Sequence, residues 1–158
     1  NAQARVGDYV FTTLDPNLGN FYGYIIADIP GIIKGASEGK GLGVKFLRHI
    51  KRTKMLAHLV SFENLSLGSA GMMKVYKEIR KELEKYDKNL NLGNDGLVLK
   101  DEIVILTKSD TVEDSKVITK AVKVFEKLDK KVFIISLFDD KTVKKFRDEL
   151  VKILKSCP

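Results

Sequence analysis

The sequence alternates short β-branched runs with amphipathic stretches up to its last residues, and this alternation constrains the fold more than any other feature. Four runs have the length and composition of strands: residues 23–28, 55–61, 102–107 and 131–136. Apolar residues recur at helical spacing in three stretches: residues 72–86, 118–128 and 143–154. Because the strand runs are almost continuously hydrophobic, we predict burial on both faces of a mostly parallel sheet, and hence the α/β class.

The composition of the 158-residue chain is that of a soluble globular protein, with 44% hydrophobic and 31% charged residues. No run reaches the ~18 apolar residues of a membrane span, so we expect no membrane partner and a cytoplasmic location. The single cysteine, Cys157, fits a reducing compartment. The net charge of +7 favours a polyanionic partner such as nucleic acid or a ribosome, although a lysine-rich solvated surface explains it equally well.

Polar residues follow the predicted strands, at the edge where open α/β sheets bind their ligands. Asp28 ends the first strand, and Gly31 follows it three residues later. An aspartate at this point can hold a magnesium ion through water, and a glycine lets its backbone N–H approach a terminal phosphate. The same D-x-x-G pattern also marks ordinary turns, so by itself it does not establish a phosphate site.

The segment Thr107-Lys108-Ser109-Asp110 follows the third predicted strand and is more discriminating. The Asp110 carboxylate can accept hydrogen bonds from N1–H and the N2 amino group of guanine, whereas adenine has neither donor there. Lys108 would lay its aliphatic stem along the purine face, and Ser136 would lie near the O6 atom through backbone N–H groups. The alternative is a helix-preceding loop with a capping aspartate.

The chain also contains FTTLDPNLG at residues 11–19, ADIPGIIKGASEGKGLG at 27–43, FLRHI at 46–50 and RT at 52–53. With TKSD at 107–110 and Ser136 behind them in order, these segments resemble the Obg family of GTPases. The resemblance covers essentially the whole chain. It implies a P-loop NTPase fold of the GTPase type, a three-layer α/β sandwich around a mostly parallel sheet.

The resemblance also implies a set of site residues for GTP or GDP and Mg²⁺. Phe11 and Thr12 would contact the nucleotide in the first switch segment, and Thr13 would be the magnesium ligand, with Thr12 as its alternative. Asp28 would contact both metal and nucleotide, and Gly31 would join Thr13 in the catalytic site. The remaining nucleotide contacts would come from five residues: Thr107, Lys108, Asp110, Ser136 and Leu137.

The function implied is that of a molecular switch that hydrolyses GTP to GDP and phosphate. Ile32 stands where many GTPases place the glutamine that orients the attacking water, and an isoleucine cannot position water, so we expect slow hydrolysis. The resemblance implies action in assembly of the large ribosomal subunit, with rRNA as a partner. No DNA partner is expected.

Three departures from the family pattern bear on the site. No G-x-x-x-x-G-K-[ST] occurs, although that loop holds the phosphates and magnesium in GTPases of this type. Thr107 replaces the usual asparagine, and Ser61-Phe62 replace an Asp-bearing turn, so the loop at 63–71 is expected to differ in shape. We therefore expect residues 1–158 to form a single GTPase domain, incomplete at its N-terminus and lacking the first strand and phosphate loop.

Two other functional classes explain part of the sequence. A non-hydrolysing RNA- or protein-binding module derived from a GTPase domain would account for the missing phosphate loop. A Rossmann-like enzyme or phospho-receiver domain would share the alternation but has no use for residues 107–110. The glycines at 39, 41 and 43 do not complete a dinucleotide fingerprint, because the next required position is Val44.

The other conspicuous polar residues have structural explanations. His49 and His58 lack partners at metal-binding spacing, so we expect them to pack rather than to bind a metal or act in catalysis. Asp114 or Ser115 is expected to cap one helix, and Asp140 or Thr142 the last one.

Overall fold

The computed structural model of the protein describes residues 17–28 and 50–156. These residues fall into two compact units, each of which is described by itself. The first contains residues 17–28, 50–53 and Lys81–Leu99, and the second contains Lys54–Arg80 and residues 100–156. Of the helices in these ranges, none combines the length and the apolar character that crossing a bilayer requires.

The first unit contains an antiparallel hairpin of β1 (Asn17–Phe21) and β2 (Tyr24–Asp28). Tyr22 and Gly23 form its two-residue turn with φ angles of 51° and 88°. Positive φ at both turn positions gives a backbone twist that matches the flanking strands. Asn20 stabilises the turn because its Oδ1 accepts the Gly23 N–H at 3.1 Å.

This hairpin corrects part of the sequence prediction. The strand predicted at residues 23–28 is present, but its burial on both faces of a parallel sheet is wrong. The tight turn pairs β2 antiparallel with β1, a strand that was not predicted, and Ile25 and Ile26 are 66% and 42% exposed. The apolar content of the run predicted a strand but not which strand pairs with it.

The second unit is built on a three-stranded parallel sheet in the order β3–β4–β5. Its strands, β3 (Met55–Ser61), β4 (Asp101–Thr107) and β5 (Lys131–Ile135), lie within one residue of their predicted bounds. The central strand β4 is buried over residues 102–106, as predicted. Burial on both faces is wrong for β3, since β3 is an edge strand within the described residues and its Leu59 is 62% exposed.

Helices cover both faces of this sheet. They are α1 (Gly68–Asn89), α2 (Ser115–Glu126) and α3 (Asp140–Ser156), where the apolar periodicity predicted them. One face packs with residues of α1 and α2 into the main core: Val60, Phe62, Met72, Tyr76, Val104, Leu106, Ala121 and Phe125. On the other face the ring of Phe133 lies 5.2 Å from that of Phe146 on α3. This is the helix–sheet–helix layering of an α/β fold, stabilised by roughly 1.5–3 kcal/mol per buried large side chain.

Side-chain caps define where α2 and α3 begin. Asp114 accepts the Lys116 N–H at 2.8 Å, which confirms the predicted cap of α2. The predicted caps of α3, Asp140 or Thr142, are wrong, because the helix begins at Asp140 and Asp139 in front of it accepts the Lys141 N–H at 3.0 Å.

The connection that follows α1 in the first unit is irregular, as predicted, and is fastened by one buried carboxylate. It contains 3₁₀ turns at Gly93–Asp95 and Leu97–Leu99. Asp87 accepts the N–H groups of Leu97 and Val98 at 2.8 and 3.0 Å. A Cβ at Gly96 would lie 2.9 Å from Asp87 Oδ2, so a larger residue at this position would displace the carboxylate.

Candidate functional site

The carboxyl ends of the three parallel strands lie level with one another. Ser61 is in register with Thr107, and Thr107 is in register with Ile135. The segments that follow these strands therefore emerge at a single edge of the sheet, where α/β folds bind their ligands. Two of them contain sequence-predicted site residues, namely 107–110 and 136–137.

Ser136 and Asp110 are in direct contact at this edge. The Ser136 hydroxyl donates a hydrogen bond to Asp110 Oδ1, and it accepts the backbone N–H of Phe138 at 3.1 Å. Ser136 is only 3% exposed, whereas Asp110 is open to solvent. Within the described residues the second carboxylate oxygen, Asp110 Oδ2, has no hydrogen-bond partner. The serine thus fixes the orientation of a carboxylate that remains accessible to a ligand.

A tight turn presents Asp110 to this contact. Lys108 adopts a left-handed conformation with φ of 60°, and a 3₁₀ turn follows at Ser109–Thr111. The Thr111 hydroxyl closes the turn by donating to the Lys108 carbonyl at 2.8 Å. Strained conformations of this kind are common in ligand-binding loops, and here the closed turn holds Asp110 at a defined point after β4.

The side chain of Lys108 is paired with Glu63, a residue that was not predicted to belong to the site. Its Nζ lies 2.6 Å from Glu63 Oε2, in the 3₁₀ helix Phe62–Leu67 that follows β3. The hydrogen bond from Lys108 holds the pKa of the Glu63 carboxyl below its ordinary value of 4.5, and a second hydrogen bond from Ser61 acts in the same direction. Glu63 could have been found by the rule that led to Asp110, since it too follows a strand.

A different charged cluster surrounds Glu102, near the start of β4. This carboxylate is 6% exposed and receives hydrogen bonds from His58 Nδ1 at 3.1 Å and the Tyr76 hydroxyl at 3.0 Å. Arg80 Nη1 lies 3.4 Å away. The His58 ring packs on Tyr76 with centroids 4.6 Å apart, so the predicted packing role is correct but its acidic partner was missed.

The ionisation of this cluster follows from its burial and its partners. Burial is the largest influence on the pKa of Glu102 and acts to raise it, but the His58 hydrogen bond and the Arg80 charge outweigh burial and lower the pKa below 4.5. Burial, followed by the Glu102 charge, raises the pKa of Tyr76 to about 12. In the described ranges no three side chains of the metal-binding types come together. We interpret the cluster as structural.

The structure does not test the roles of the other predicted site residues. Asp28 ends β2 in the first unit. The remaining ones lie outside the described residues: Phe11, Thr12, Thr13 and Gly31. Their roles stay predictions.

Comparison with known proteins bears directly on this edge. The sequence model of the family described as "50S ribosome-binding GTPase" matches residues 1–108, which include the whole of β4 and the first residue after it. The chain belongs to this GTPase family. The predicted P-loop GTPase fold is therefore confirmed, and with it the prediction of an Obg-type chain, given the relatives described next.

Curated relatives named GTPase Obg align over almost all of this GTPase chain. The protein of Elusimicrobium minutum is 42% identical over 99% of the chain, and that of Bdellovibrio bacteriovorus is 39% identical over 98%. The protein of Lachnoclostridium phytofermentans is 37% identical over 100% of the chain. The chain spans 33%, 47% and 37% of the length of these three relatives, respectively.

The outer face of α2 in this GTPase chain carries a row of exposed lysines, here called the α2 lysine row: Lys116, Lys120, Lys123 and Lys127. Their spacing of four, three and four residues places them on one face, opposite the buried Ala121 and Phe125. None of them forms an ion pair with a carboxylate in the part of the chain that the structure describes. Elsewhere lysines do pair with glutamates, at Lys88–Glu84 on α1 and Lys152–Glu149 on α3.

Proposed function

We propose that this chain is the guanine-nucleotide-binding part of a GTP-hydrolysing switch. The observation that carries the proposal is the Ser136–Asp110 hydrogen bond, which joins the loops after two adjacent parallel strands in a chain of a GTPase family. A carboxylate held in this way can accept hydrogen bonds from N1–H and the 2-amino group of guanine. The proposal rests on the chemistry of this contact together with the family.

Base recognition would use the groups at the strand edge in different ways. Asp110 would read the guanine edge, and the Lys108 stem would lie against the base while its ammonium stays paired with Glu63. Thr107 and Leu137 would complete the surroundings of the base. Because adenine presents no pair of donors to Asp110, the site would reject adenine nucleotides strongly.

Phosphate and magnesium chemistry would fall to the switch segments. In this proposal Thr13 and Asp28 hold Mg²⁺, with Thr12 as the alternative to Thr13, and Gly31 offers its backbone N–H to the terminal phosphate. Phe11 would lie beside the nucleotide. Bound Mg²⁺ would neutralise charge on the phosphates. Ile32 cannot orient water, so hydrolysis would be slow.

The partner we propose is the rRNA of the large ribosomal subunit, during its assembly in the cytoplasm. The α2 lysine row supports an RNA backbone as the ligand, because like charges three and four residues apart repel and none of these lysines is paired with a carboxylate within the described residues. The exposed face presents lysines and Thr119 but no aromatic ring, which suits the phosphates of a duplex better than stacked single-stranded bases.

The test replaces one side-chain atom of Asp110 in order to change the preferred base from guanine to xanthine. Asp110→Asn keeps the shape of the side chain but replaces an acceptor with a donor, which suits the 2-carbonyl of xanthine instead of the 2-amino group of guanine. We expect GDP affinity to fall about 10- to 100-fold, since a hydrogen bond to a charged group contributes roughly 1.5–3 kcal/mol. Affinity for xanthosine diphosphate should rise.

Binding is measured by titration calorimetry with magnesium, using GDP, ADP and xanthosine diphosphate. Two forms are compared, the 158-residue chain and the same chain extended upstream in its natural reading frame. Asp114→Asn is the matched control, because asparagine caps α2 as well as aspartate does. If neither form prefers GDP to ADP, the switch is refuted, and a non-hydrolysing RNA- or protein-binding module becomes the better account.

A further inference from the structure

The loop between β5 and α3 contains the most exposed apolar side chains of the described residues. Leu137 and Phe138 are 81% and 89% exposed, so packing does not hold this loop in place. Yet the loop carries Ser136, whose hydroxyl orients the Asp110 carboxylate. Its geometry must therefore come from hydrogen bonds.

Thr142, in the first turn of α3, supplies hydrogen bonds that reach back to this loop. Its Oγ1 accepts the Ser136 backbone N–H at 3.1 Å and donates to the Asp139 carbonyl at 2.8 Å, with the Ser136 carbonyl at 3.2 Å. The Asp139 N–H closes the loop onto the Ser136 carbonyl at 3.2 Å. One hydroxyl thus ties both ends of the loop to the helix.

The hydrogen-bond pattern of the loop leaves one N–H available. The N–H of Ser136 goes to Thr142, that of Phe138 to the Ser136 hydroxyl, and that of Asp139 to the Ser136 carbonyl. Only the Leu137 N–H has no partner among the described residues. Thr142 thereby decides which backbone donor the loop offers to a ligand.

Capping of α3 does not explain the Thr142 hydroxyl. Asp139 already accepts the Lys141 N–H at 3.0 Å, as a cap does. The Thr142 hydroxyl reaches three residues beyond that cap, to Ser136, where the helix has no unsatisfied group.

We propose that Thr142 is a positioning residue for guanine recognition, which holds Ser136 so that its hydroxyl orients Asp110 and only the Leu137 N–H meets the base. This inference rests on the proposed guanine-nucleotide function. Thr142 touches no nucleotide itself and acts through Ser136.

The experiment uses the protein in its natural full length and compares GDP with inosine diphosphate, which lacks the 2-amino group that Asp110 would read. Thr142→Val removes the hydroxyl at nearly constant shape. We expect GDP affinity to fall about 3- to 10-fold, the range for one net hydrogen bond, and inosine diphosphate affinity to fall less. Thr142→Ser keeps the hydroxyl and should restore the ratio of the two affinities to within about 2-fold of wild type.

Thr119→Val is the matched control. The Thr119 hydroxyl donates to the Ser115 carbonyl at 2.9 Å on an exposed face of α2, an ordinary contact within a helix. Thr119→Val should leave the ratio of the GDP and inosine diphosphate affinities unchanged.

The outcomes separate this inference from the function on which it rests. If the wild type fails to prefer GDP to ADP, the proposed function is refuted and the role of Thr142 with it. If the wild type prefers GDP but Thr142→Val leaves the GDP to inosine diphosphate ratio intact, the positioning role alone is wrong. Equal losses for both nucleotides with a lowered melting temperature would show that Thr142 only stabilises the fold.

Discussion

Replacing Glu102 with glutamine tests how the buried charged cluster stabilises the second unit. The change keeps the size of the side chain but removes its charge and one of its two acceptor oxygens. Its partners all offer protons in the native arrangement: His58 Nδ1 at 3.1 Å, the Tyr76 hydroxyl at 3.0 Å and Arg80 at 3.4 Å. The glutamine NH₂ group would have to face at least one of these donors.

The magnitude follows from burial. Removing one partner of a fully buried charge pair costs about 3–5 kcal/mol. The Arg80 side chain is 21% exposed and can turn toward water, and glutamine keeps one acceptor, so we expect a smaller loss of about 2–3 kcal/mol in the free energy of unfolding. For a chain of this size that corresponds to a fall of about 4–12 °C in melting temperature.

The dependence on pH gives a second, independent check. The folded-state pKa of Glu102 lies below the ordinary 4.5, so its ionised form stabilises the protein above that value. This contribution is lost as pH falls through the folded-state pKa. The difference between wild type and Glu102→Gln should therefore be full at pH 6–7 and shrink as the pH falls below about 4.5, where the carboxyl of the unfolded chain takes up a proton.

Urea unfolding at several pH values measures both effects. The control is Glu84→Gln, which removes an exposed pair with Lys88 at 2.8 Å and should leave the free energy of unfolding nearly unchanged, because solvent screens that pair. A Glu102→Gln variant as stable as this control at neutral pH would refute the reasoning. So would a stability difference that persists undiminished at pH 3.

Two further predictions concern other parts of the molecule. Asp87→Ala should lower the free energy of unfolding by about 2–4 kcal/mol in urea titrations, because it leaves the N–H groups of Leu97 and Val98 without an acceptor. Changing the α2 lysine row to glutamine should reduce the slope of log affinity for a ~20-base-pair RNA duplex against log salt by about 3, as measured by fluorescence anisotropy. The control changes four exposed lysines of α1 to glutamine and should alter the slope by less than about 1. These are Lys77, Lys81, Lys85 and Lys88. Equal effects of the two sets would contradict a specific RNA-binding surface on α2.

The sequence predicted the second unit well because its signals are local. The runs at 55–61 and 102–107 and the amphipathic periods of three helices determine the α/β layering through burial. The position of β2 was equally readable, but its partner was not, since pairing depends on the turn at Tyr22 and Gly23. A tyrosine with positive φ is uncommon, so the sequence at this position did not predict a two-residue hairpin turn.

The proximity of two candidate site residues was predictable from their positions after adjacent strands. Asp110 and Ser136 follow strands in a pattern that guanine recognition explains, and the structure brings them into contact. The contacts of Glu63 and Thr142 were not predicted, although Thr142 was a candidate helix cap and its partner Ser136 is only six residues away. Lys108 lies 45 residues from Glu63, and a glutamate or threonine near a helix start has many other uses.

The unpredicted residues share a physical role. Glu63 holds the ammonium of Lys108, and Thr142 holds the backbone of Ser136, so each fixes a group that would itself contact the nucleotide. Exposed loops such as that of Leu137 and Phe138 have no packing to keep them in place, and hydrogen bonds from a rigid helix or strand end must do so. Base specificity in this chain would then depend on these supporting side chains as well as on Asp110, which is why Thr142→Val is expected to change the preference between two nucleotides that Thr142 never touches.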